Sequence, residues 1–231
     1  MWRISVLISL EPMHIIKYTS KFVLGLEFIL LCLIVPGYII YNLYAPYMMA
    51  FLWGATLYCG IVYYRAYFTG WKSLWRWDAV TWQNMQPIMI RWVLACLCML
   101  VFIYFYAPDR MFGLWQHSPG FVFILFVLYP VLSALPQEFI FCSFFFKRYE
   151  TFFGNGKWMV IASAAVFAYA HILYINPVAP ALSLLGGYIF ANSFKKTQSL
   201  AIVTIEHALY GNALFLIGLG WYFHGGSLSM N

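Results

Sequence analysis

Residues 120–146 have the sequence GFVFILFVLYPVLSALPQEFIFCSFFF. An apolar run of this length can cross the hydrocarbon core of a bilayer, which takes about twenty residues in a helix. Gln137 and Glu138 interrupt the run far from its ends, where an ionisable group is costly and usually functional. The stretch therefore predicts a membrane-spanning helix that carries part of a functional site.

The rest of the chain has the same apolar character. It is 64% hydrophobic and only 9% charged, with a mean hydropathy of +0.80, whereas a soluble domain is about half apolar and a quarter charged. Apolar runs of helix length occur at 22–40, 47–64, 87–106, 120–146, 158–173, 178–194 and 199–222. We predict an all-α polytopic membrane protein with about seven transmembrane helices, in which residues 1–231 form a single membrane domain.

Basic residues mark one side of the membrane, because Lys and Arg accumulate in cytoplasmic loops. The opposite loops hold only Arg110, next to Asp109. The pattern predicts a cytoplasmic amino terminus, an external carboxyl terminus and a place in the cell inner membrane. The net charge of +6 reflects the basic cytoplasmic loops and their attraction to the lipid bilayer. We expect no nucleic-acid partner. The residues on the basic side are Arg3, Lys17, Lys21, Arg65, Lys72, Arg76, Lys147, Arg148, Lys157, Lys195 and Lys196.

Polar residues interrupt three of the predicted helices. With a rise of about 1.5 Å per residue, we place them at comparable depths below the basic side. A carboxylate and two imidazoles that converge there could activate a water molecule, with Glu as general base and His as partner or acid. An amide could stabilise a developing oxyanion. We therefore predict a hydrolytic site inside the membrane, formed by Gln137, Glu138, His171, Glu206, His207 and Asn212.

Three segments around these residues resemble motifs of the CPBP family, the CAAX-protease and bacteriocin-processing intramembrane peptidases. The family patterns are a Glu pair separated by three residues from an Arg, then Phe-x-x-x-His, then a His followed about four residues on by Asn. The resemblance extends over roughly residues 130–220, the expected peptidase core. The matching segments are LPQEFIFC at 135–142, FAYAH at 167–171 and EHALYGN at 206–212.

The resemblance implies an intramembrane endopeptidase that hydrolyses a peptide bond of a membrane-associated peptide or protein. In the family, the Glu and the first His are held to activate water, while the second His and the Asn stabilise the oxyanion. These roles would fall to Glu138, His171, His207 and Asn212. The use of a metal is left open by the resemblance, although Glu138, His171 and His207 would suit one divalent ion such as zinc in ligand type.

The chain departs from the family pattern at three positions. Gln137 stands in the first position of the Glu pair, Cys142 in that of the Arg, and Asn212 follows His207 by five residues, with Gly211 at the fourth. Glu206 supplies a second carboxylate. The departures make a catalytically silent relative, acting as a binding or bacteriocin-immunity protein, the first alternative. The second is a haem- or quinone-binding membrane protein with His171 and His207 as ligands.

Two further charged residues lie inside predicted spans. Glu27 and Arg91 are at similar depth by helical rise, roughly 8 Å from the basic side. Opposite charges inside a membrane usually pair. We therefore expect an ion pair between them.

The charge pattern gives a testable topology. Single cysteines near Tyr44, His117 and Ser227 should react with a membrane-impermeant thiol reagent added to the outside of intact cells. Cysteines at Lys72 and Lys195 should react only after permeabilisation, because the basic loops face the cytoplasm. External labelling at Lys195 would overturn the orientation.

Overall fold

The computed structural model describes residues 19–223 of the chain. Within that range the structure is helical and contains no strand. Seven long helices occur among the described residues, joined by short turns and one-turn helices. They are α1 Lys21–Tyr41, α2 Ala45–Ala66, α3 Trp82–Tyr106, α4 Pro119–Arg148, α5 Lys157–Tyr174, α6 Val178–Thr197 and α7 Leu200–Ile217.

In residues 19–223, six of the long helices are long and apolar enough to cross a membrane. The remaining one, α6, has the length but is less apolar, since Gly186, Gly187, Asn192 and Ser193 interrupt it. The prediction of an all-α polytopic membrane protein is confirmed. The expected external tail and the basic residues Arg3 and Lys17 lie outside the described residues.

Two prolines shape α4, the helix that carries Gln137 and Glu138. Turns of π-helix lie at Pro130–Ala134 and Phe139–Phe144, on either side of the α-helical segment Leu135–Glu138. A proline has no N–H to donate to the carbonyl four residues earlier, and helices bend or widen at such places. The freed carbonyl of Leu132 accepts a bond of 3.2 Å from the indole of Trp53. This contact ties α4 to α2 at the level of the site.

Helices α5 and α6 pack against each other through small residues. A Cβ atom on Gly187 would lie 3.2 Å from Cα of Ala164 and 3.0 Å from Cδ1 of Phe167. Only a glycine allows this approach without a shift of the neighbouring helix. The close approach at Gly187 fixes the position of the Phe167 ring.

The predicted ion pair between Glu27 and Arg91 is wrong. The carboxylate of Glu27 accepts two bonds from the guanidinium of Arg148, of 2.8 Å from Nε and 2.6 Å from Nη2. Tyr58 and Tyr149 also donate to it. Arg91 pairs instead with a carboxylate on α7. The helices that pack together, rather than depth along the chain, decide which charges meet.

Loss of either partner of the Glu27–Arg148 pair should destabilise the protein. Arg148 is buried and Glu27 nearly so, with 4% and 9% of the side chains exposed, and an unpaired charge left in a buried place costs about 3–5 kcal/mol. We expect Glu27→Gln and Arg148→Gln each to lower the thermal midpoint in detergent, and the double variant to lose less than the sum.

The matched control is the combination of Glu27→Gln with Arg91→Gln. Since these residues do not interact in the structure, their losses should add. Additive losses for Glu27 and Arg148, or coupling between Glu27 and Arg91, would contradict the observed pairing.

Candidate active site

Glu138 and His207 form a buried pair between α4 and α7. Oε1 of Glu138 lies 2.7 Å from Nδ1 of His207, and the carboxyl group is 1% exposed. Oε2 accepts a bond of 3.1 Å from the thiol of Cys142, one helical turn further along α4. Both carboxyl oxygens are thus engaged, and the carboxylate fixes the orientation of the imidazole.

The other edge of the His207 ring contacts Tyr129. The phenol oxygen lies 2.9 Å from Nε2 of His207. The ring of Phe190 stacks on the imidazole with centroids 4.6 Å apart, and Phe167 meets it edge-on at 5.7 Å. The hydrogen bonds at both nitrogens and the aromatic contacts leave His207 one orientation.

His171 ends the α-helical part of α5 and lies against the same phenyl ring. Its ring centroid is 4.5 Å from that of Phe167. Nδ1 lies 2.7 Å from the carbonyl oxygen of Phe167, and a carbonyl oxygen can only accept. Nδ1 therefore carries the proton, and in the neutral ring Nε2 keeps its lone pair. Such a nitrogen can take a proton from water.

A cavity of about 880 Å³ lies beside these groups, and its wall includes Tyr129, Gln137, His171 and His207. A second chamber of about 190 Å³ adjoins it and shares Gln137 and His171. The remaining lining is mostly apolar. Glu138 is not part of either wall, so it reaches the cavity only through His207.

Glu206 is directed away from the cavity, towards α3 and α6. Its Oε1 accepts a bond of 2.9 Å from Arg91, which also donates to Ser193 at 3.1 Å. The next residue of α3, Trp92, donates to the carbonyl of Leu209 at 2.9 Å. These contacts hold α7 against α3 and α6. The structure gives Glu206 a structural partner and does not bring it to the imidazoles.

Asn212 also lies outside the cavity lining. Its Nδ2 is 3.4 Å from the carbonyl oxygen of Phe126. That carbonyl is the one that Pro130, four residues later, cannot satisfy. Asn212 thus replaces a missing backbone donor on α4 rather than facing the imidazoles. Gln137 does line the cavity, with its amide nitrogen donating to Ser133 at 2.8 Å.

The arrangement does not fit the zinc ligand set expected from the sequence. Among residues 19–223, no group of three His, Cys, Asp or Glu residues is placed to hold a metal ion. His207 has a hydrogen-bond partner at each ring nitrogen, Glu138 and Tyr129. Because both ring nitrogens of His207 are hydrogen-bonded, neither is free to bind a haem iron, as the haem alternative requires. Whether a cofactor is used stays a prediction, and no step below depends on one.

Three residues that contact the predicted site residues were not predicted in that role from the sequence. Tyr129 lies outside the motifs, and tyrosine is common in this chain, so nothing in the sequence marked it. Arg91 was noticed as an intramembrane charge but was assigned to another partner. Cys142 was treated as a departure from the motif, although its position one turn after Glu138 could have indicated a hydrogen bond.

Comparisons with known proteins agree with the motifs. Residues 119–213 match a family model described as type II CAAX prenyl endopeptidase Rce1-like. The matched segment is less than half of the chain, but it runs from the start of α4 into α7 and contains Glu138, His171 and His207. No curated protein and no solved structure gives a significant match. The resemblance to the CPBP intramembrane peptidases is therefore confirmed, and the segment that carries the candidate site is similar to the Rce1-like family.

Proposed function

We propose that this protein is an intramembrane endopeptidase that hydrolyses a peptide bond of a membrane-associated peptide or protein. One observation carries the proposal: the Glu138–His207 pair and His171 meet across Phe167 beside a large, mostly apolar cavity. The Rce1-like match supports the same class of reaction.

In the proposed reaction, His171 is the general base. Its Nε2 takes a proton from a water molecule while the water oxygen attacks the scissile carbonyl carbon, and the carbonyl oxygen becomes an oxyanion. Collapse of the tetrahedral intermediate breaks the C–N bond, and the proton held by His171 passes to the leaving nitrogen. The products are one carboxylic acid and one amine.

His207 and Glu138 stabilise the charge that develops. In the proposed scheme Nδ1 of His207 donates to the Glu138 carboxylate, and an imidazolium at His207, paired with that carboxylate, stabilises the oxyanion. Glu138 is a positioning residue in this scheme, because it acts through the imidazole. The amide of Gln137, on the cavity wall, contacts the bound peptide.

The cavity indicates how the substrate arrives. Its lining comes from the helix ends opposite the basic residues, including Met49 on α2, Phe121 on α4, and Phe223 after α7. Met49 and Phe121 are 42% and 51% exposed. We propose that apolar peptides enter from the outer half of the inner membrane, where a mostly apolar wall can replace lipid around them.

The site variants should separate chemistry from stability. Glu138→Gln, His171→Ala and His207→Ala should each reduce cleavage of a membrane peptide at least about a hundredfold, the loss expected when a general base or an oxyanion partner is removed. Cleavage is followed by mass spectrometry in detergent, with and without a metal chelator.

Asn212→Ala is the matched control for these variants, because Asn212 satisfies a carbonyl on α4 and lies outside the cavity. We expect Asn212→Ala to lower the thermal midpoint and to keep the turnover number. Full activity in His171→Ala would remove the proposed base. Activity abolished by the chelator would show that the metal-free scheme is wrong.

Substrate entry can be tested from both sides of the membrane. A bulky impermeant thiol reagent added outside should block cleavage by Phe121→Cys in a Cys98→Ala background, since Phe121 lines the cavity near its outer end. Phe152→Cys, on the basic side and 41% exposed, should react only from inside. Inhibition of Phe121→Cys from the inside alone would contradict entry from the outer half.

A catalytically silent relative is the second candidate. It is favoured by Gln137 at the first motif position and by Glu138, which does not reach the cavity. Such a protein would bind the same apolar peptides in the cavity without cleaving them. Saturable binding of a labelled peptide, with no product after prolonged incubation, would support this reading over the peptidase.

A further inference from the structure

We propose that Tyr129 is a further catalytic residue: its hydroxyl donates a hydrogen bond to the oxyanion, in the place that the family motif gives to the asparagine after the second histidine. The inference rests on the proposed peptidase function. The structural observation that supports the role of Tyr129 is its close packing against Gly211 and His207.

Gly211 leaves the space that the Tyr129 ring occupies. Residue 211 lies one turn after His207 and so shares a face of α7 with it. A Cβ atom at this position would be 2.2 Å from Cε1 of Tyr129 and 2.4 Å from its hydroxyl oxygen. Any larger residue, including the asparagine of the motif, would have to displace the ring. Tyr129 and Gly211 are thus a matched pair, called here the Tyr129–Gly211 pair.

The sequence has an asparagine nearby, but the structure uses it elsewhere. The amide of Asn212 donates to the Phe126 carbonyl on α4. This leaves Tyr129 as a hydroxyl donor next to His207 on the cavity wall. The hydroxyl therefore stands where an oxyanion donor is needed and where this chain's asparagine does not reach.

The hydrogen bonds explain how the hydroxyl becomes available. When His207 carries both protons, Nδ1–H donates to Glu138 and Nε2–H donates to the oxygen of Tyr129. The hydroxyl proton is then directed into the cavity, where it can donate to the oxyanion. When His207 is neutral, the same proton is held by Nε2. The charge on His207 thus sets the direction of the Tyr129 donor.

Tyr129→Phe tests the role directly. We expect the turnover number to fall about a hundredfold, as on loss of one oxyanion donor, with little change in KM or thermal midpoint. Tyr188→Phe, an exposed tyrosine on α6, is the control and should behave as the wild type. An unchanged turnover number in Tyr129→Phe, with Glu138→Gln inactive, would overturn the role while the peptidase function stands.

A residue exchange tests the Tyr129–Gly211 pair without relying on activity. Gly211→Asn alone should lower the thermal midpoint, because the new side chain meets the Tyr129 ring. Adding Tyr129→Ala should recover most of that loss by opening the space, and should restore some cleavage through the new amide. Gly54→Asn is the control, since a Cβ there meets nothing within 4 Å.

The possible results distinguish the oxyanion role of Tyr129 from the peptidase function itself. Thermal losses that simply add in the Gly211→Asn and Tyr129→Ala cycle would overturn the pair, whatever the activity. A nitrogen NMR signal of His207 Nε2 that is identical in the wild type and in Tyr129→Phe would overturn the hydrogen bond on which the role depends. A wild type that cleaves no peptide, although both physical tests succeed, would overturn the peptidase function and the oxyanion role but not the contact.

Discussion

Every polar group inside a bilayer must find its partner within the protein, because the hydrocarbon offers none. Much of this structure follows from that constraint. The prolines of α4 free two backbone carbonyls, and Trp53 and Asn212 from neighbouring helices satisfy them. These bonds place α4 against α2 and α7 at the depth of the site. The prolines thus remove hydrogen bonds within α4, and the bonds that replace them hold α4 against its neighbours.

The carboxylates obey the same constraint with different results. Glu27 pairs with Arg148 and Glu206 with Arg91, and both pairs link helices away from the cavity walls. Glu138 is paired with an imidazole, a partner that can both donate and accept hydrogen bonds. Of these three pairs of described residues, the one between Glu138 and His207 alone extends to a cavity wall, through His207. All three pairs contain a glutamate. The candidate site differs from the two structural pairs because its partner is a histidine and because that histidine lies on a cavity wall.

The departures from the motif form a consistent arrangement. Cys142, where the motif has an arginine, donates to Glu138 and leaves the carboxylate without a competing cation. Gly211, where the motif has the asparagine, makes room for Tyr129. With these two changes, Glu138 pairs with Nδ1 of His207, and the hydroxyl of Tyr129 contacts Nε2 of the same ring. A chain of hydrogen bonds, Glu138–His207–Tyr129, results.

The sequence by itself determined the membrane class and the positions of the helices, and it pointed to the polar residues of the candidate site. These follow from hydrophobic length and from the cost of burying ionisable groups, which are local properties of the chain. Only the tertiary structure decided which groups meet. Rotation about each helix axis turned Glu206 and Asn212 away from the cavity, paired Glu27 with Arg148, and brought Tyr129 to His207. Those rotations depend on packing between helices distant in sequence, which no spacing within one helix can specify.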